Sequence, residues 1–260
     1  MTTMPAVFIG HGTPMNTLEQ NHFTDAWATF GMLLAPPRAV LAISAHWYVN
    51  NSAVTSMANP PVIHDFYGFP QRLFDFDYPA PGSPDVAAQV AEIVKPVPVA
   101  MDTSWGIDHG TWSVLAHVFP AADVPVVQLS IDATKPIDYH VDLGRRLAPL
   151  LDDGVLILAS GNVVHNLRAI SWNATDVGFD WAQRFDDDVR DVVQHDPTSL
   201  GRLAGSPDYH LAVPTPDHFL PLAYLSGLAD ARGAQPTVLV DGCTMGSLSM
   251  TSYVVAEAAA

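Results

Sequence analysis

Five short aliphatic runs limit what this chain can fold into: residues 6–9, 39–45, 97–100, 124–129 and 155–159. They are rich in Val, Ile, Leu and Ala, and three of them are stopped by Gly, Ser or His. That is the pattern of strands buried on both faces of a parallel sheet. Helical patterns separate them. Ser83-Pro84 supplies an N-cap and a first helical residue for a helix running to about Val94. Apolar residues recur at helical spacing over 138–151, and again over 181–193 with an acidic outer face. This βαβα order predicts an α/β fold with a largely parallel central sheet flanked by helices. Further on, 220–228 reads as a helix and 237–240 as a strand. Residues 247–255 alternate small polar with apolar side chains, which predicts a half-exposed antiparallel edge strand near the C-terminus.

Nothing divides the sequence. It has 260 residues, 48% of them hydrophobic, and no repeat, linker or low-complexity tract, so a single domain over 1–260 is expected. The 22 prolines exceed a usual share of about 5% and fall in small clusters, as ordered loops require. Acidic residues outnumber basic ones 27 to 11, a net charge of −16, which argues against nucleic acid and anionic membranes as partners. The acidic runs Asp152-Asp153 and Asp186-Asp187-Asp188 read as solvated faces. No stretch is long and apolar enough to span a bilayer, and the N-terminus lacks the pattern of a signal peptide. A cytoplasmic protein is expected. The single cysteine, Cys243, rules out an internal disulfide and a cysteine-based metal cluster, and reads as a small packed apolar residue.

Histidine carries the chemical signal. His11 lies in Gly10-His11-Gly12, directly after the first run; His46 ends the second and is followed by Trp47 and Tyr48, a wall suited to an aromatic ligand. His165 follows the run at 155–159 through Gly161-Asn162, and His218 sits in a Pro-rich loop, Pro214-Thr215-Pro216-Asp217-His218. Ligands of open α/β sheets bind beyond the carboxyl ends of the strands, and imidazole both binds metals and titrates near neutrality. Asp108-His109-Gly110 starts a helical run that can aim its imidazole into a cleft. Asn162 and Asn166 bracket His165 as candidate hydrogen-bond partners, and Asp217 is placed to orient His218 or to act as a ligand. The remaining histidines read as background: His117 as a packed helical residue, His140, His195 and His210 as exposed, and His22 as a loop neighbour. On residue types alone, a metal site and an acid–base site both stay open. No HExxH, paired-cysteine, GxSxG, P-loop or GxGxxG motif is present.

Seven stretches in order carry a resemblance: Gly10-His11-Gly12-Thr13-Pro14, Ser44-Ala45-His46-Trp47, His64-Asp65-Phe66-Tyr67-Gly68-Phe69-Pro70, Tyr78-Pro79-Ala80-Pro81-Gly82, Asp108-His109-Gly110, Gly161-Asn162-Val163-Val164-His165-Asn166-Leu167 and Asp217-His218-Phe219-Leu220-Pro221-Leu222. Together they resemble the class III (LigB-type) extradiol ring-cleaving dioxygenases, in the 4,5-DOPA extradiol dioxygenase branch. The resemblance implies a non-haem Fe(II) site on His11, His46 and His218, with Zn²⁺ able to occupy it. It also implies that His165 is an acid–base residue, sometimes counted as a fourth metal ligand, and that His109 is a second active-site histidine. The implied substrates are a catechol and O₂. His218 stands where other class III members carry a glutamate, which leaves the site one positive charge richer and favours a dianionic catecholate. Arg168 has two readings, a partner for a substrate carboxylate or a surface salt bridge. Two other classes remain open: a zinc-dependent hydrolase with His165 as base, and a non-enzymatic binding protein. The oligomeric state is left open.

Overall fold

A six-stranded sheet forms the centre of the computed structural model, which describes residues 2–256. Its strands are β1 (Ala6–Gly10), β2 (Ala39–Ser44), β3 (Val126–Gln128), β4 (Val155–Gly161), β5 (Thr237–Val240) and β6 (Ser252–Val255). They lie in the order β3-β2-β4-β1-β6-β5. The first four are parallel; β6 runs antiparallel to β1 and to β5.

Side chains alternate across each strand, and here both faces meet helices. Ala6, Phe8, Leu41 and Ile43 pack into one buried cluster; Val7, Ile9, Val40 and Ala42 pack into the other. Helices α1 (His22–Leu33) and α3 (His109–Val118) cover the second face with Phe23, Trp27, Phe30, Trp112 and Leu115. Helices α2 (Pro84–Ile93), α4 (Ile137–Leu147), α5 (Asp180–His195) and α6 (Leu220–Arg232) cover the first. Burial on both sides is why these strands read as unbroken apolar runs. Ser83 caps α2 by accepting from the Val86 amide, with Pro84 in the first turn. Helix α1, which the pattern reading passed over, begins with a reciprocal cap between Asn21 and Thr24.

Five readings change. The run at 97–100 is not a strand of the central sheet: Pro96 and Pro98 have no N–H to donate, and pairing begins only at Ala100–Asp102, which joins Ala53–Thr55 in a separate two-stranded pair. The pattern over 138–151 breaks at Pro149 into α4 and a single turn, Pro149–Asp152. Residues 247–255 are buried apart from a partly exposed Val254, and they do not form the edge. Strand β6 lies between β1 and β5, and β5 is the antiparallel edge strand. The hydroxyls of this segment are paired internally: Ser249 and Thr251 donate to Asp186 at 2.5 and 2.8 Å. Asp186 is therefore buried, whereas Asp187 is solvated. Likewise His140 is buried, its Nδ1 3.0 Å from the Tyr224 hydroxyl.

Cys243 is buried, and burial pushes its thiol up to about 12, so it packs and does not react. Among the described residues no helix is long and apolar enough to cross a membrane.

Candidate active site

Parallel strands in register deliver the site. Gly10 at the end of β1 lies opposite Gly161 at the end of β4, and Ser44 at the end of β2 lies opposite Ser160. Residues just past those ends share one edge of the sheet, and there His11, His46 and His165 gather. His218 comes from the loop just before α6, and its carbonyl accepts the Asn162 amide at 2.8 Å. A Cβ on Gly161 would sit 2.2 Å from that carbonyl oxygen, so the approach needs glycine. Gly110, at the start of α3, has the same role: a Cβ there would lie 2.8 Å from Cδ2 of His46.

The rings of His11, His46 and His218 form a nearly regular triangle, with centroids 5.2, 5.3 and 5.2 Å apart. His109 packs edge-on against His46 at 4.0 Å. His165 stacks on His218, with centroids 3.4 Å apart and planes 4° from parallel.

Hydrogen bonding fixes the tautomers. Ser160 donates its only hydroxyl proton to the Gly110 carbonyl at 2.5 Å, so its oxygen must accept from Nδ1 of His11, 2.9 Å away. Nδ1 of His46 donates to one oxygen of Asp65 at 2.6 Å, and Nδ1 of His109 donates to the other at 2.7 Å. Nδ1 of His218 donates to Asp217. Each of the four imidazoles therefore keeps its proton on Nδ1 and presents a lone pair on Nε2. For His11 and His46 those lone pairs lie only 3.3 Å apart. Two lone pairs at that distance repel unless a cation lies between them, and the spacing suits two nitrogens each about 2.0–2.1 Å from one metal. Donor atoms of His11, His46 and His218 all lie within 4.8 Å of one another. His46, Asp65 and His109 also cluster, but their facing atoms are already joined by hydrogen bonds. The first set fits a divalent metal; the second orients it.

Burial, reinforced by neighbouring imidazoles, holds His11 and His218 well below the ordinary histidine range. The same causes lower His109, with burial the largest, and burial takes His165 down to about 4. His46 is raised despite burial, because Asp65 and Asp108 favour its charged form. Burial would raise Asp65 too, but His109 and His46 hold it well below the usual carboxylate range. At neutral pH His11, His109, His165 and His218 are therefore held as neutral donors, while the ionised Asp65 favours a proton on His46 in competition with a metal.

The histidines open on a cavity of about 380 Å³ whose other walls include Phe66, Phe69, Leu167, Ile170 and Trp172. It has room for one aromatic ring and a substituent. A second cavity, about 260 Å³ beside Tyr48 and Lys135, contains none of these histidines.

Other expected neighbours lie elsewhere. Trp47 is buried and stacks on Trp105 with planes 4° apart, while Tyr48 lines the second cavity; the aromatic wall comes from the loop at 66–69 instead. Asn162 donates to the Ser249 carbonyl and Asn166 to the Leu211 carbonyl, so they brace the loop around His165 without touching its ring. Arg168 is exposed and forms no ion pair among the described residues. His117 is half-buried and donates its Nε2–H to the Asn16 carbonyl, 2.7 Å away. His22, His195 and His210 are exposed. Asp65 and Ser160 had no assigned role in the sequence, since their partners lie 19, 44 and 149 residues distant.

A family model described as the catalytic LigB subunit of aromatic ring-opening dioxygenase matches residues 5–256. The chain belongs to this family. It is 48% identical to a 4,5-DOPA dioxygenase extradiol of Escherichia coli (strain K12), over 98% of this chain and 95% of that one. It is 33% identical to a protein of the same name from Beta vulgaris, covering 95% and 94% of the two chains. A crystal structure of an uncharacterized Escherichia coli K12 protein superposes with a TM-score of 0.85 at 41% identity, covering 97% of this chain and all of that one. The family is one of metal-dependent ring-opening dioxygenases, so small aromatic molecules and O₂ are its reactants.

Proposed function

We propose that the chain, as a single catalytic domain over 1–260, opens the ring of a catechol by extradiol cleavage with O₂. His11, His46 and His218 hold Fe(II), and His165 and His109 act on the substrate. The supporting observation is the convergence of Nε2 lone pairs from imidazoles whose Nδ1 protons are all committed outward. Bound there, Fe(II) supplies the redox chemistry between catechol and O₂ that d¹⁰ Zn²⁺ lacks.

The protein's own residues do the rest. The cavity holds a flat ring against Phe66 and Phe69, with its hydroxyls toward the histidines. His165 is neutral at pH 7 and accepts a proton from a catechol hydroxyl. Its depressed basicity makes the protonated ring a stronger acid than an ordinary imidazolium, suited to return the proton as the ring opens. His109, anchored by Asp65 at both Nδ1 and its backbone amide (3.0 Å), presents Nε2 as a fixed polar contact to the reacting oxygens. A DOPA-like catechol is the substrate class that the names of the relatives point to. Cytoplasmic placement belongs to the same reading.

Turnover under ¹⁸O₂ tests it. The Fe(II)-loaded protein should place both labelled atoms in the ring-opened product. Label drawn from water, with ester or amide cleavage by a zinc form, would replace this reading with a hydrolase.

A further inference from the structure

Asp108 is fully buried and forms no ion pair among the described residues, yet four donors converge on its carboxylate. Oδ1 accepts from the Ser44 hydroxyl at 2.7 Å and the Thr111 main-chain N–H at 3.2 Å. Oδ2 accepts from the Gln128 side-chain amide at 2.7 Å and the Trp105 indole at 3.4 Å. Gln128 closes the pair, since its Oε1 accepts the Asp108 main-chain N–H at 3.0 Å. A carboxylate without a cation is costly to bury unless hydrogen bonds replace its lost water. Capping α3 does not account for it, because asparagine caps a helix as well as aspartate does. What the carboxylate adds is a second acceptor oxygen, and that oxygen is turned to Gln128 at the end of β3.

These bonds fix the first turn of α3 against the strand ends. Ser44 and Ser160 are register partners at the ends of β2 and β4. Both hydroxyls donate into that turn, Ser44 to Asp108 and Ser160 to the Gly110 carbonyl. His109 lies between the two attachment points. Each serine also serves one histidine of the triangle: the Ser44 oxygen accepts the His46 main-chain N–H at 3.3 Å, and the Ser160 oxygen accepts Nδ1–H of His11. The placement of His109 relative to His11 and His46 is thus set through Asp108 and two serines, none of which lines the cavity.

We infer that Asp108 is a positioning residue for ring opening: paired with Gln128, it holds the first turn of α3 so that His109 faces the reacting atoms at a fixed distance from His11 and His46. It touches neither substrate nor metal. The inference rests on the ring-opening reading above and adds the residue that aims one of its histidines. In Asp108→Asn one oxygen becomes an NH₂ group, and in either orientation that group meets another donor, the Gln128 amide or the Thr111 N–H. Gln128 cannot turn to compensate, because its Oε1 already accepts the Asp108 N–H. Gln128→Glu alone sets two carboxylates face to face. Combined, the two exchanges restore the pair with its polarity reversed.

Asp108→Asn, Gln128→Glu and the double variant test it through two readouts. One is kcat and KM of the Fe(II) form with 3,4-dihydroxyphenylalanine. The other is the Nδ1–H resonance of His109 in the zinc-loaded, ¹⁵N-histidine-labelled protein. Each single variant should lower kcat by about 10–100-fold while KM changes by less than about 3-fold. Each should also lose the His109 resonance and keep that of His218, whose partner Asp217 lies in the loop before α6. The double variant should recover most of kcat and the resonance. A merely structural role would lower the denaturation midpoint and leave kcat and the resonance of the folded variant unchanged. That result, or a loss that the double variant does not restore, would overturn the inference. Ser44→Ala removes one attachment and serves if Asp108→Asn does not fold; an unchanged kcat and resonance there would overturn it equally. If the Fe(II) form opens no catechol, the ring-opening reading fails, and the His109 resonance in the same variants still decides the positioning role.

Discussion

Asp65 fixes two histidines at once, because each of its oxygens accepts one Nδ1–H. Asp65→Asn keeps the shape but leaves only one acceptor oxygen, so either His46 or His109 loses its anchor. Metal affinity should fall by about 10–100-fold, the usual effect of removing an orienting partner from a ligating histidine. Chelator competition on folded protein measures it, and unchanged affinity would show that His46 needs no such support. His165 separates differently. Stacked on His218 and outside the triangle of donor atoms, it should be dispensable for metal: His165→Ala keeps most of its metal while turnover drops by about 10²–10⁴-fold. Loss of metal in step with activity would make His165 a ligand instead. The histidines were legible in the sequence because strand ends and glycines flank them. Asp65 was not, since a loop carboxylate has no local pattern and the imidazoles it joins are remote in sequence.

Elements set the approach of His218. Its carbonyl lies where a Cβ on Gly161 would fall, so β4 and the entry to α6 touch at backbone level. Gly161→Ala should therefore push the two apart, costing about 1–3 kcal/mol of stability and reducing metal content. Denaturant midpoints and elemental analysis check both; an unshifted midpoint would mean the contact yields easily. The parallel strands and most helices were readable because two-sided burial makes strands uniformly apolar and helices periodic. The C-terminal segment was not. Its Ser and Thr positions look solvated in sequence, yet they pair with Asp186 from α5, and no local pattern reveals a distant buried acceptor. The false strand at 97–100 failed for a nearer reason, the prolines within and before it.

At the scale of the whole molecule, buried neutral histidines link stability to pH. Burial lowers His140 from its ordinary 6.5 to about 4. Above about pH 6.5 the group is neutral folded and unfolded, and its neutral burial costs nothing. As pH falls from about 6.5 to 4, the unfolded chain takes up a proton that the native state refuses, so stability is lost across that window and levels off below it. The loss attributable to His140 is on the order of 3 kcal/mol. In metal-free protein, His140→Leu should flatten the decline in unfolding free energy between pH 6.5 and 4.5; equal slopes would show that His140 is not among the groups responsible. All of this serves one site, and its chemistry turns on which metal does the work. The most direct measurement follows O₂ uptake and ring-opened product, side by side, after anaerobic loading of the metal-free protein with Fe(II) or with Zn²⁺. The account predicts one O₂ consumed per catechol opened by the iron form, a yellow semialdehyde product, and no reaction with zinc. Catechol left intact by the iron form, with ester or amide hydrolysis by the zinc form, would contradict it.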